Sequence, residues 1–128
     1  EMEWLKNDGS LIDLDDSSVD FAMSTVVLQH LCSHSLRLKI KKEIYRVLKK
    51  GGVFCFQMGF GGNESAHHDY YDDFASKYSN SEADTRVDDP SQLITDLESI
   101  GFSYGTFEVR RSYLDDQHPC WIYVRCQK

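Results

Sequence analysis

The stretch EIYRVLKKGGVFCFQ, Glu43 to Gln57, reads as a helix, a glycine turn and a strand in immediate succession. Upstream of the glycines, Leu36, Ile40, Ile44, Val47 and Leu48 fall on one side of a helix, at the three- and four-residue spacing of an apolar stripe. Lys39, Lys41, Lys42, Glu43, Arg46 and Lys49 fall on the other side, which reads as a solvated face. Ser33 or Ser35 supplies an N-cap. Lys49 and Lys50 suit the negative end of the helix dipole, and Gly51 suits the left-handed position that closes a helix. The run VFCFQMGF, Val53 to Phe60, is almost continuously apolar, as a strand buried on both faces requires.

Working outward, VDFAMST, Val19 to Thr25, is a second short apolar run and predicts a second doubly buried strand. VVLQHL starts a short helix, and Met2 and Trp4 alternate with charge as the end of a strand would. NDGSLIDLDDSS before them is turn chemistry. Between about residues 59 and 88 the periodicity dissolves into a Gly-, Ser-, Asn- and Asp-rich insertion, with a short helix predicted near Tyr70 to Tyr78. DPSQLITDLESIGF then predicts a capped helix. Asp89 is the N-cap, Pro90 sits at N1, Gln92 is the capping-box partner and Gly101 is the stop. SYGTFEVRRSYL and HPCWIYVRC read as a closing pair of strands.

Alternating strands and helices predict an α/β fold with a mostly parallel sheet, helices on both faces and a C-terminal antiparallel strand. A chain of 128 residues is one domain with room for one core. The net charge of −7 disfavours nucleic acid and anionic membrane as partners, because phosphates repel an acidic surface. The longest apolar runs fall far short of the roughly 20 residues of a membrane helix. Glu1 to Asp16 carries no apolar signal-peptide core. The four cysteines have no C-x-x-C spacing and read as free thiols in a reducing compartment, which predicts a cytoplasmic protein.

The order of elements and three motifs resemble the C-terminal half of a class I S-adenosylmethionine-dependent methyltransferase. EIYRVLKKGG resembles that family's E-x-x-R-V-L-K-P-G-G joint, with Lys50 where proline is usual. SSVDFAMSTVVLQHL resembles its fourth strand and following turn, and NDG its loop after the third strand. The resemblance implies a Rossmann-like sheet and S-adenosylmethionine as cofactor. It implies cofactor-binding roles for Asp8, Gly9, Ser24 and Thr25, and a small-molecule or other non-nucleic methyl acceptor over the loop after Gln57. His30 is the candidate general base; the alternative is that it only packs the short helix. Asp8 either faces the adenine or simply makes a turn.

The family's glycine-rich loop and the acidic residue that grips the ribose do not precede Glu1. The chain therefore reads as a fragment that by itself binds cofactor weakly or not at all, and that pairs with a second copy through the exposed edge of its first strand. A non-catalytic interaction or dimerisation module is the alternative. His67, His68, Asp69, Asp72 and Asp73 have the residue types of a metal site, but they read as a solvated loop and no metal is expected. Tyr70, Tyr71, Phe74 and Tyr78 form either a lid over the acceptor or the apolar side of a short helix.

Overall fold

The computed structural model describes residues 4–7, 11–61, 67–73, 84–113 and 118–128. Among the described residues, six strands and two helices make a mixed sheet with helical cover. They are β1 (Val19–Ser24), α1 (His34–Val47), β2 (Leu48–Phe60), β3 (His67–His68), β4 (Asp84–Val87), α2 (Pro90–Ile100), β5 (Ser103–Arg111) and β6 (Cys120–Gln127). A 3-10 turn, Leu28–His30, leads from β1 toward α1.

The strand β2 is the axis of the sheet. Along Leu48–Phe56 it pairs in parallel with β1, and at Gly59–Phe60 it pairs in parallel with β4. Its other edge pairs antiparallel with β6, which in turn pairs antiparallel with β5. The mixed sheet with a closing antiparallel strand is the predicted architecture.

Phe54, Phe56 and Met58 alternate onto one face of β2 and are buried with Ile122, Val124 and Cys126 of β6. Leu93 and Leu97 of α2, and Ile44 and Leu48 at the end of α1, complete the core. Both helices lie on this face, since Lys41 of α1 sits over the Phe56 ring and Leu93 and Leu97 pack near Ile122 and Val124. Helical cover of the opposite face is not found among the described residues. There Phe21 is 54% and Met23 66% exposed, so β1 is not buried on both faces as its composition suggested. An apolar run of six cannot by itself distinguish one covered face from two.

The Glu43-x-x-Arg46 pair explains the helix–strand joint. Arg46 bonds Glu43 one turn earlier and reaches the carbonyls of Ile12 and Leu14 and the Asp16 carboxylate. Glu43 also accepts from the Ile12 amide. The two side chains thus strap the segment before β1 onto α1 and set where β1 begins. Gly52 is needed because a Cβ there would lie 2.8 Å from the Lys49 carbonyl and 3.2 Å from that of Asp20.

Two local readings change. The helix α1 ends at Val47, and Leu48 is already extended, so Lys49 and Lys50 belong to β2 and not to a last helical turn. Gly51 is left-handed, with φ +83°, at the irregularity where β1 and β2 shift register, and does not cap the helix. The sheet overrides the helical stripe because Leu48 gains a buried ladder position. Trp4 is exposed and outside any strand, while residues 1–3 lie outside the described residues. The α2 caps form as predicted, with the Asp89–Gln92 capping box and Gly101 left-handed. All four cysteines are free thiols, and burial pushes Cys126 up to about 12, which keeps it unreactive.

Candidate functional site

Ligands of open α/β sheets bind outside the carboxyl ends of the parallel strands. Here that end of β1 carries Ser24, Thr25 and the turn to His30, and that end of β2 carries Gly59, Phe60 and Gly61. The backbone is strained at this edge, because Val26 has φ +55°, a left-handed conformation that β-branched residues avoid. Val26 and Val27 are exposed beside it.

His30 stands at the end of the 3-10 turn and is half-exposed. Its Nδ1 lies 2.5 Å from Oδ1 of Asp84, the first residue of β4. The other carboxylate oxygen of Asp84 lies 3.3 Å from Nε2 of His118. Asp84 and His118 are both buried. The carboxylate therefore bridges one imidazole open to solvent and one enclosed in the protein. Gly59 makes the enclosure, since a Cβ there would lie 2.1 Å from the His118 ring. Trp121 closes it edge-on, with ring centroids 5.0 Å apart. Nε2 of His30 faces the Gln29 amide nitrogen at 3.3 Å. That contact is at the long end for a hydrogen bond, so an incoming O–H or N–H group competes with it readily.

Asp84 comes from the insertion, and the insertion is fastened from beneath. Lys41, read from sequence as part of a solvated face, is buried, with its Nζ 2.9 Å from Asp96 and 2.6 Å from the Tyr70 hydroxyl. Tyr70 donates to the same Asp96 at 2.5 Å, and His34 reaches the second oxygen at 2.9 Å. Burial alone raises the Asp96 carboxyl, but Lys41, Tyr70 and His34 outweigh it and hold the group below the usual range. Tyr70 is thus a core residue and not part of a lid. Arg37, also buried, donates to the Leu31 and Tyr70 carbonyls and to Thr85 of β4. Tyr70–Asp73 forms a turn and no helix, while residues 74–80 lie outside the described residues. Asp73 is the acceptor for Ser33 Oγ and the Ser35 amide at the start of α1. It is therefore a cap and not a free metal-type ligand.

Of the residues expected at a cofactor site, Ser24, Thr25 and His30 share the carboxyl edge of β1, whereas Asp8 and Gly9 lie outside the described residues. The segments flanking them enclose a cavity of about 310 Å³ with Ile40, Glu43 and Ile44, and its lining does not include His30, Ser24 or Thr25. The described residues fit one side of an S-adenosylmethionine site: the exposed end of β1 offers backbone groups and the Thr25 hydroxyl. Sequence reasoning missed Asp84, His118, Arg37 and Asp96. Asp84 and His118 stand in Asp-rich, turn-like stretches whose composition does not set them apart from other loop residues.

The family model described as "Methyltransferase domain" matches residues 1–56. A SAM-dependent methyltransferase of Methanosarcina mazei superposes with a TM-score of 0.70 at 22% identity, covering 95% of this chain and 65% of that one. One from Thermotoga maritima gives 0.59 at 20% identity, over 97% of this chain and 63% of that one. One from Aquifex aeolicus gives 0.57 at 20% identity, over 97% and 53%. The chain therefore spans less than two thirds of the length of these relatives. No curated protein matches the chain. No described helix is long and apolar enough to cross a membrane. Residues 1–56 match the methyltransferase-domain family, and the chain carries the class I S-adenosylmethionine-dependent methyltransferase fold.

Proposed function

We propose that the chain forms the acceptor side of an S-adenosylmethionine-dependent methyltransferase in which His30 is the general base. The observation that carries this reading is the 2.5 Å contact between His30 Nδ1 and the buried Asp84 carboxylate at the carboxyl edge of β1. The cofactor would supply a methyl group already activated on a sulfonium sulfur. The protein's task is then to position the acceptor and take its proton. With the Asp84 carboxylate beside Nδ1 and the Gln29 amide nitrogen facing Nε2, Nε2 is assigned as the basic nitrogen. It would take the proton of the acceptor O–H or N–H as that group receives the methyl that the cofactor supplies. Asp84 then faces the imidazolium. The net charge of −7 supports a small or non-nucleic acceptor.

The test uses the protein expressed from its natural reading frame. Calorimetry with S-adenosylhomocysteine should show binding. His30→Ala should keep that binding and lower kcat by roughly a hundredfold or more. An absence of binding, or an unchanged kcat, would refute the reading.

A second reading, a non-catalytic module that pairs with a second copy, is favoured by the outer edge of β1. That edge has no strand partner among the described residues, and Phe21 and Met23 are exposed next to it. Light scattering decides it, since a strictly monomeric mass rules it out.

A further inference from the structure

We infer that Asp84 and His118 are positioning residues for His30: the buried imidazole of His118 holds one oxygen of the Asp84 carboxylate so that the other selects a single tautomer of His30. The inference rests on the proposed role of His30 as base and extends it to two residues that the family match, which ends at residue 56, does not reach.

Four observations carry it. Each oxygen of Asp84 has an imidazole nitrogen beside it, His30 Nδ1 at 2.5 Å and His118 Nε2 at 3.3 Å. A carboxylate this buried is costly unless polar groups face it, and the two imidazoles do. The His118 ring occupies a recess that exists only because residue 59 is glycine, and Trp121 fixes the ring edge-on within it. The strand that bears Asp84 is locked to α1 by the bond from Arg37 to Thr85.

A carboxylate held beside Nδ1 favours the proton there and leaves Nε2, which faces the Gln29 amide nitrogen, as the basic nitrogen that an incoming acceptor needs. Other titratable groups near Asp84 include Cys32, whose thiol bonds Thr85, Arg37, and His67, its register partner on β3. Cys32 and Arg37 meet the His30 ring in no described contact.

The test compares His118→Phe, which fills the recess without a polar atom, with His118→Gln, whose amide nitrogen reaches the place of Nε2. His118→Met is the flexible filler if the Phe variant does not fold. The first readout needs no substrate: the ring-nitrogen spectrum of His30 in long-range proton–nitrogen NMR. One tautomer, protonated at Nδ1, is expected in the parent and in His118→Gln, and a mixture of both in the apolar variant. The second readout is kcat against KM once an acceptor is in hand. The apolar variant should lose between roughly tenfold and a hundredfold in kcat with KM unchanged.

Identical His30 spectra in parent and apolar variant overturn the inference. Loss of the tautomer in His118→Gln as well also overturns it, because the role would then be packing alone. Failure of S-adenosylhomocysteine to bind, with the tautomer result intact, overturns the methyltransferase reading and leaves the relay standing.

Discussion

Lys41 Nζ and Asp96 Oδ2 lie 2.9 Å apart in the interior, and this ion pair joins α1 to α2 beneath the insertion that bears Asp84. Each charge is tolerated there because the other is present, with Tyr70 and His34 on the same carboxylate. Lys41→Met should cost about 3–5 kcal/mol, since it strands a buried carboxylate. Lys41→Met combined with Asp96→Leu should cost clearly less than the sum of the single changes. Urea denaturation of the four proteins checks this, and additive losses would show that the pair is not coupled.

Asp73 gives the fold a defined acid sensitivity. Its bonds from the Ser35 amide and the Ser33 and Ser35 side chains lower its carboxyl to about 2. A carboxyl depressed on folding stabilises above its ordinary value near 3.8 and loses that contribution as pH falls toward 2. Asp73→Asn should therefore flatten stability against pH between those limits and leave the slope above pH 5 as it was. Urea midpoints across that range measure it.

Gly59→Ala tests whether His118 owes its place to a missing side chain. The new Cβ would fall 2.1 Å from the ring, so the imidazole has to leave the recess. A loss of about 1–3 kcal/mol is expected from overpacking. The His30 spectrum should also change in the direction of the apolar His118 variants. Full stability by thermal unfolding would mean that the recess is roomier than the backbone implies.

Val26→Asn should stabilise the protein by about 1 kcal/mol, because asparagine tolerates the left-handed backbone that valine resists. Val26 is exposed, so little packing is lost. If the strain serves ligand binding, affinity for S-adenosylhomocysteine falls as stability rises. Thermal unfolding and calorimetry on the same variant separate the two effects.

The amino-acid sequence alone determined what local chemistry and periodicity can specify. The α2 caps were legible because Asp89, Pro90, Gln92 and Gly101 act within a few residues of one another. The β2 strand and the closing β5–β6 pair were legible because their patterns repeat over eight or more residues. The Glu43–Arg46 joint was legible as a motif, although its partners at Ile12, Leu14 and Asp16 were not.

Tertiary structure decided which polar residues go inside. Lys41 and Lys42 are adjacent and have the same side chain, yet one is buried and the other exposed. The difference is Asp96, which lies 55 residues away in sequence. The bridge from His30 through Asp84 to His118 likewise draws on three segments that share no local pattern. No periodicity encodes such meetings, because the energy that holds a buried charge comes from its partner and the partner is brought by the fold.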